Sequence, residues 1–162
     1  MNPTHQFTSI PKKILLPVDF SPSSKPALHM AADLALHFHA ELHLVHVIPF
    51  FPTATLPDFV PEEKFHQHAM AYAEHHLDKY KTLLTARGVK VTSSVEVGND
   101  IVGNILEVVE HESIDMVVIS THGLSGWHPM VFGSIAEKLL KLVQCPVLLL
   151  HSTQHKAGVK AA

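Results

Sequence analysis

A glycine-broken loop follows an apolar run in STHGLSGWHPMVFGSIAEKLL, the stretch at residues 120–140. Gly123, Gly126 and Gly133 let backbone N–H groups point inward, because no Cβ atom obstructs them. Ser134 then opens a helix-like run, whose first N–H groups lack intrahelical partners and carry a partial positive charge. Phosphate oxygens suit such a set of donors, so the pattern favours an anion-binding loop.

The same residues also fit an interpretation without a ligand. The glycines can simply turn the loop, and Ser134 with Glu137 fits the S-x-x-E capping box of a helix N-terminus. Residues 123–126 miss the G-x-S-x-G nucleophile elbow by one position, and residues 98–104 lack the Lys-Ser or Lys-Thr of a P-loop. His122 can touch a phosphate or act as a general acid, but no paired nucleophile accompanies it, so fast phosphohydrolase activity is not expected.

Strand-like and helix-like runs alternate along the chain and determine where these residues lie. Strands are predicted at Lys13–Val18, Glu41–Ile48, Val89–Val97, Asp115–Ser120 and Pro146–His151. Helices are predicted from Ser21-Pro22 to about His39, from Glu62 to about Arg87, from a cap at Asn99 or Asp100 to about His111, and from Ser134 to Val143. Short apolar strands separated by helices indicate one α/β domain, with a mainly parallel five-stranded sheet and helices on both faces.

Ligands of open parallel sheets bind outside the carboxyl ends of the strands. Asp19 closes the first predicted strand, and the glycine-broken loop follows Ser120 at the end of the fourth. The two positions face one another only if these strands are neighbours, which the pattern of residues leaves open. Asp19 therefore has two interpretations, a ligand contact or a solvated residue that helps to start the following helix.

Composition excludes several classes of function. The chain has 162 residues, of which 46% are hydrophobic and 17% are charged, as in a single globular domain. With a net charge of −3 and no basic stripe, no nucleic-acid partner is expected. The longest apolar runs fall far short of the roughly 20 residues that span a bilayer, so no membrane partner is expected either. With Cys145 as the one cysteine and no secretory signal, a cytoplasmic location is predicted.

Fifteen histidines raise the question of a metal site. His29, Asp33 and His37 share a helix face, and further histidines crowd the long predicted helix at positions 66, 68, 75 and 76. Neither group has a compact ligand signature such as H-E-x-x-H. Most of these positions alternate with charged residues, so the side chains are predicted to be solvated and no structural zinc is expected.

Three stretches resemble the universal stress protein family, over about residues 12–151: KKILLPVDFSPSSKPAL, LHLVHVI and VVISTHGLSGWHPMVFGSIAEKLLKLVQCPVLLL. Nucleotide-binding members carry a glycine, two residues, a second glycine, nine residues, and then Gly-Ser or Gly-Thr. This spacing is kept by Ser120, Gly123, Gly133 and Ser134, with serine in place of the first glycine. The resemblance implies a Rossmann-like domain at 12–151 with strand order 3-2-1-4-5, between flexible segments 1–11 and 152–162.

The resemblance also implies a site for ATP, with or without Mg²⁺. The implied site residues are Pro17, Val18, Asp19, Val45, His46, Val47, Ser120, His122, Gly123, Gly126, Gly133 and Ser134. The loop would wrap the phosphates and Asp19 would lie beside the adenosine. Ser120 would either narrow the ribose subsite through its Cβ atom or hydrogen-bond a ligand oxygen through its hydroxyl.

The sequence therefore predicts a cytoplasmic, ATP-binding stress-response protein with slow or no hydrolysis. By the same resemblance it forms a homodimer through the final strand, Pro146–His151. Such an edge strand would otherwise expose unpaired backbone groups. Two alternatives stay open, a dimeric interaction protein of the same fold with an empty or blocked pocket, and a metal-dependent phosphohydrolase that uses His122.

Overall fold

A computed structural model describes residues 10–50, 62–121 and 133–151. The strands are β1 (Lys13–Pro17), β2 (Glu41–Pro49), β3 (Lys90–Gly98), β4 (Met116–Ser120) and β5 (Val147–Leu150). The helices are α1 (Lys25–Phe38), α2 (Glu62–Ala86), α3 (Ile101–His111) and α4 (Ser134–Leu142), with a short 3-10 helix at Pro22–Ser24 before α1. Each strand and helix predicted from the sequence is present, with small shifts at its ends.

The five strands form one parallel sheet in the order β3-β2-β1-β4-β5. β1 pairs along its length with β2 on one side and, through Ile14 and Leu15, with β4 on the other. The chain runs outward from β1 to β3 and then crosses back to β4, so the strand order reverses between β1 and β4. The predicted α/β class and strand order are confirmed, and Asp19 and Ser120 lie at the carboxyl ends of neighbouring strands.

Two apolar clusters cover the faces of the sheet. On one face Ile14 and Leu16 pack with α1 and α2, and on the other Leu15 and Val45 pack with α3 and α4. Successive side chains of a strand point to opposite faces, so a strand covered on both sides needs an apolar run without alternation. This explains why β1 is a continuous apolar segment after Lys13 and why β2 has apolar residues on both faces, interrupted by His43 and His46.

The start of α1 differs from the sequence prediction. Ser21 makes no side-chain cap, and α1 begins at Lys25, after the 3-10 helix, with Pro26 in its first turn. The Ser21 hydroxyl donates instead to Asp19 Oδ1 at 2.7 Å. Ser21 does hold the N-cap position of the 3-10 helix, with Pro22 next, but the prediction of one continuous capped helix is wrong: the Ser21 Oγ lies between Asp19 and the Ser23 hydroxyl and accepts from no backbone N–H of the helix. The predicted cap at Asp100 is confirmed, since its Oδ1 accepts from the Val102 amide at 3.1 Å.

Some predictions fall wholly or largely outside the described residues. These are the flexible segment 1–11 apart from its last two residues, the tail 152–162, and most of the loop after Ser120. They stay predictions, as does the domain boundary at residues 12–151. Within the described parts of the chain, no helix is long and apolar enough to cross a membrane.

Candidate functional site

A cavity of about 660 Å³ opens at the carboxyl ends of β1, β2 and β4, bordered by α2, α3 and the first turn of α4. Every predicted site residue that the structure describes lines this cavity: Pro17, Val18, Asp19, Val45, His46, Val47, Ser120, Gly133 and Ser134. Three predicted site residues, His122, Gly123 and Gly126, lie outside the described residues. The fold thus brings together residues from three strands and one helix, and their role in binding stays a prediction.

Asp19 is positioned by the serine-rich turn that follows it. Its Oδ1 accepts from the Ser21 amide at 3.0 Å and from the Ser21 hydroxyl at 2.7 Å. Because the Ser21 hydroxyl hydrogen is used on the carboxylate, the Ser23 hydroxyl is the donor in the 2.8 Å contact between the two serines. Ser24 Oγ closes the turn by donating to the Ser21 carbonyl. These bonds orient a half-buried carboxylate on the cavity wall.

Phe20 adopts a left-handed backbone conformation, with φ of 60°. The other described non-glycine residues with positive φ are His39 and Ser113, which follow helix ends where this conformation is common. Phe20 instead stands between β1 and the 3-10 helix, on the cavity wall. A non-glycine residue held there costs about 1 kcal/mol or more, so its surroundings must stabilise it.

The side chain of Phe20 is held in a cluster of aromatic rings. Its centroid lies 4.4 Å from that of His46 and 5.0 Å from that of His76, with an interplanar angle of 31° in both pairs. Tyr72 and Tyr80 each lie 6.0 Å away. Burial, and secondarily the charge of Asp19, raise the pKa of Tyr80. These contacts account for the persistence of the strained Phe20 backbone.

His46 has a defined tautomer. Its Nδ1 lies 2.7 Å from the carbonyl oxygen of Val18, which can only accept. Nδ1 therefore carries the hydrogen, and Nε2 of the neutral ring keeps the lone pair. The bond ties β2 to the residue before Asp19, while the Val18 amide donates to the Val45 carbonyl at 2.8 Å. His46 thus stabilises the carboxyl end of β1.

The first turn of α4 presents backbone donors to the cavity. Gly133 is the N-cap residue, its N–H donates to the Thr121 carbonyl at 2.9 Å, and the first intrahelical bond runs from Glu137 N to Gly133 O. The N–H groups between them precede this bond and have no intrahelical acceptor. A Cβ atom at Gly133 would lie 3.2 Å from the Thr121 carbonyl oxygen, so a side chain would crowd this turn.

The capping-box interpretation of Ser134 is wrong. Gly133 occupies the N-cap position, Ser134 is the first helical residue, and no side chain caps the helix. Glu137 pairs with Lys141 one turn later at 2.7 Å. In a capping box the serine would be the N-cap residue, so the S-x-x-E pattern lies one residue too late in the helix. The first N–H groups of α4 therefore have no side-chain cap and are available to other acceptors.

Ser120, which replaces the first glycine of the family spacing, lies between the cavity and the 3-10 helix. Its Oγ donates to the Ser23 carbonyl at 3.4 Å, a long hydrogen bond. The side chain therefore links the end of β4 to the turn that follows Asp19. Ser120 also lines the cavity, and a glycine there would lack the Cβ atom and the hydroxyl.

The apolar lining was only partly predicted. The cavity is also bordered by Ile101, Ile105, Ile119 and Ala136, from α3, β4 and α4, and by Tyr72 from α2. The isoleucines follow ordinary core periodicity, so their sequence pattern does not distinguish a cavity wall from a filled core. An exposed tyrosine on a polar helix carries no local signal either.

The histidines of the helices behave in two ways. As predicted, His29, His37, His68 and His75 are exposed, but His66 and His76 are half-buried. His76 packs on Tyr72 at 4.3 Å, as well as on Phe20. Burial, and then the positive charge of Lys79, lower the pKa of His76. Most of these helix histidines are thus solvated as predicted, and the two half-buried rings pack on aromatic neighbours, His66 on Phe50 and His76 on Phe20 and Tyr72.

The opposite, amino end of the sheet holds a buried histidine that the sequence did not single out. His43 is 4% exposed, with Nδ1 2.9 Å from Thr92 Oγ1 and Nε2 3.2 Å from Ser94 Oγ. Thr92 uses its hydroxyl hydrogen on Glu41 at 3.1 Å, so it accepts from His43 Nδ1–H, and Nε2 accepts from Ser94. Burial lowers the pKa of His43.

Charged residues continue this network along the amino ends of the strands. Lys13 Nζ lies 3.2 Å from Glu41 Oε1 and 2.5 Å from Glu112 Oε2. The hydrogen bond from Lys13 lowers the pKa of Glu112, and the same bond raises that of Lys13. Asp115 accepts from the backbone amides of Lys12 and Lys13 at 2.8 and 3.1 Å. These groups bind one another and line no part of the large cavity.

Comparison with known proteins gives a family match for most of the chain. Residues 11–151 match the model of the universal stress protein family. Universal stress protein MJ0531 of Methanocaldococcus jannaschii is 30% identical over 138 residues, which cover 85% of this chain and 81% of that protein. The family match extends across all five strands.

Solved structures share the same fold. The structure of hypothetical protein MJ0577 has a TM-score of 0.75 and 27% identity, covering 86% of this chain and 95% of that one. A universal stress protein in complex with cAMP has a TM-score of 0.64 at 21% identity, covering 90% of this chain and 100% of that one. One from Archaeoglobus fulgidus in complex with dAMP has a TM-score of 0.62 at 18% identity, covering 85% and 96%.

Proposed function

The chain belongs to the universal stress protein family, and from this premise we propose that it binds an adenine nucleotide, ATP in the first instance. The nucleotide occupies the cavity at the carboxyl ends of β1, β2 and β4, with slow or no hydrolysis. The protein acts as a homodimer that pairs through β5. The twelve site residues implied by the sequence form the binding site in this proposal.

One observation carries the nucleotide proposal: the cavity has chemically different ends. The α4 side offers the N–H groups of a helix start at Gly133 and Ser134, which suit phosphate. The β2 side offers Val45 and Val47, which suit a flat apolar base. Asp19 follows β1 and lies between them, where a carboxylate can accept from ribose hydroxyls. From β2 across β1 to α4, the cavity therefore offers successive places for the base, the ribose and the phosphates.

The related structures are consistent with this choice of ligand. The complexes with cAMP and dAMP show that this fold accommodates adenine nucleotides in those proteins. At 21% and 18% identity they support the fold alone, so the ligand is argued from the cavity. Where Mg²⁺ accompanies ATP, Asp19 is the acidic residue among the described residues that line the cavity.

The direct test is to identify any small molecule released when the purified protein is denatured. Mass spectrometry of the released fraction should find an adenine nucleotide, and calorimetry on the stripped protein should show ATP binding. Protein that releases no nucleotide and binds neither ATP, ADP nor AMP would favour the interaction-protein alternative. Phosphate release that disappears in His122→Ala would favour the phosphohydrolase instead.

The geometry of β5 supports the dimer proposal. β5 pairs with β4 on one side, as the outermost strand of the described sheet. Pro146 and Leu150 accept from β4 through their carbonyls, so the intervening residues Val147 and Leu149 turn their backbone groups to the open side. Leu140 and Leu142 near the end of α4 are 40% and 55% exposed. A second copy of β5, added antiparallel, would satisfy these groups with one two-fold contact.

Leu149→Pro tests this arrangement. The substitution removes a backbone N–H on the open side, while that of Leu150 remains for β4, so the dimer should dissociate more readily than the monomer unfolds. Light scattering at micromolar concentration should give twice the chain mass of 17.9 kDa for the wild type and a lower mass for the variant. Leu83→Ala, an exposed leucine on α2, is the control and should remain dimeric. A wild-type mass of one chain would overturn the proposal.

A further inference from the structure

Tyr72 is an exposed aromatic residue at the mouth of the cavity. It is 56% exposed and lines the cavity, although it lies on α2, away from the loops that follow the strands. Leu83 on the same helix is similarly exposed, at 64%, but does not line the cavity. An exposed tyrosine ring beside a cavity presents apolar surface that a ligand can cover.

The position of the Tyr72 ring is set by its neighbours. It lies 4.3 Å from the ring of His76 and meets Phe20 edge-on at 6.0 Å and 77°. Phe20 is itself fixed against His46, whose Nδ1–H is bound to the Val18 carbonyl. The contacts hold Tyr72 on one side while more than half of the residue stays uncovered. A ring held in this way loses little freedom when a ligand packs on it.

The ring lies at the end of the cavity that suits a base. Phe20, His46 and Tyr72 border the cavity on the β2 and α2 side, across β1 from the helix start at Gly133. A phosphate has no favourable contact with an aromatic face, whereas a nucleobase stacks on one. The aromatic side of the cavity therefore suits the base, and the phosphates would lie at the start of α4.

We propose that Tyr72 is the stacking residue for the nucleobase and a determinant of base preference in this cavity. This role rests on the proposed nucleotide function. Stacking strength grows with the area of the base, so purine nucleotides should be preferred over pyrimidine nucleotides. Phe20 and His76 pack on the Tyr72 ring and hold its position, and His46 in turn holds Phe20.

The test compares ligands with and without a base on matched variants. Calorimetry measures ATP and CTP binding to the wild type, Tyr72→Ala, Tyr72→Phe and the control Leu83→Ala. Tyr72→Ala should weaken ATP binding about tenfold and CTP binding less. Tyr72→Phe keeps the ring and should stay within about twofold, and Leu83→Ala should not differ. Inorganic tripolyphosphate, which has no base, should displace ATP from the wild type and bind all four proteins alike.

Each outcome bears on a defined claim. Equal ATP affinity in Tyr72→Ala and the wild type would overturn the role of Tyr72 and leave the nucleotide function standing. Equal losses in Tyr72→Ala and Tyr72→Phe would assign the effect to the hydroxyl and overturn stacking. A matching loss of tripolyphosphate affinity would show that Tyr72 acts on the whole site rather than on the base. A wild type that binds no nucleotide would overturn the proposed function itself.

Discussion

The two ends of the sheet use polar residues in opposite ways. At the amino end, Lys13 pairs with Glu41, and the Thr92 hydroxyl links Glu41 to His43, forming a closed network. At the carboxyl end, Asp19 and Gly133 border an open cavity. Both ends carry charged and hydrogen-bonding groups, and the groups at the amino end have protein partners for their bonds.

The comparison teaches where a polar residue stabilises the fold and where it is available to a ligand. In a parallel sheet the loops at the carboxyl ends diverge where the strand order reverses, which leaves a crevice between β1 and β4. At the amino ends the strand order leaves no such crevice, and the polar side chains there bind to other groups of the protein. Substitutions at the carboxyl end should therefore change binding, and those at the amino end should change stability.

The largest expected effect is on binding, in Gly133→Val. The valine side chain would crowd the Thr121 carbonyl and cover the N–H groups at the start of α4. We expect ATP affinity to fall by more than about 100-fold, while the protein stays folded. Calorimetry measures the affinity and thermal unfolding checks the fold. Gln144→Val, an exposed position after α4, is the control for adding a valine. ATP affinity unchanged in Gly133→Val would remove this residue from the site.

The matching effect on stability is expected in His43→Ala. The change removes a buried ring and its bonds to Thr92 and Ser94, so the free energy of unfolding should fall by about 2 kcal/mol. ATP affinity should stay within about twofold, because the residue lies away from the cavity. Urea unfolding measures the free energy of unfolding, and calorimetry measures the ATP affinity. His68→Ala, an exposed control on α2, should change stability by less than about 0.5 kcal/mol.

His43 also makes the free energy of unfolding depend on pH. Because burial lowers the pKa of His43 below its unfolded value of about 6.5, the unfolded chain binds the proton first as pH falls. Stability is therefore highest above this value and declines as pH drops toward the folded pKa. Lys13 also lowers the pKa of His43, while Glu112, Glu41 and Glu96 oppose the shift. The difference in the free energy of unfolding between pH 7.5 and pH 5.5 should be smaller in His43→Ala than in the wild type. An equal difference in the two proteins would contradict the assignment of this pH dependence to His43.

The smallest effect is expected in Ser120→Gly, which restores the family spacing. Loss of the long bond to Ser23 and the added backbone freedom should cost about 0.5–1 kcal/mol of stability. ATP affinity should stay equal or rise a few-fold, because the cavity wall loses a Cβ atom and a hydroxyl. Affinity that instead falls by about 0.5–1.5 kcal/mol would show that the hydroxyl bonds the nucleotide. Calorimetry on the single variant decides between these outcomes.

Most of the element order follows from local pattern. The runs around β1 and β2 are apolar without alternation, and the cap at Asp100 lies where its residue type predicts a helix start. Errors occur where a side chain has two partners to choose from. Ser21 bonds the Asp19 carboxylate rather than capping α1, and Ser134 begins α4 one position after the cap. Such choices depend on atoms a few ångströms apart, which residue spacing does not resolve.

The sequence by itself determined the family, the alternation of strands and helices, and nine of the residues that line the cavity. The alternation follows from periodicity and the site residues follow from the resemblance to the family, so neither needs knowledge of long-range contacts. The tertiary structure alone decided that Tyr72 and Phe20 meet beside the cavity and that His43 closes the network with Thr92. Residues about 50 positions apart meet only through strand pairing and helix packing, and neither tyrosine nor histidine carries a local pattern that predicts its partner.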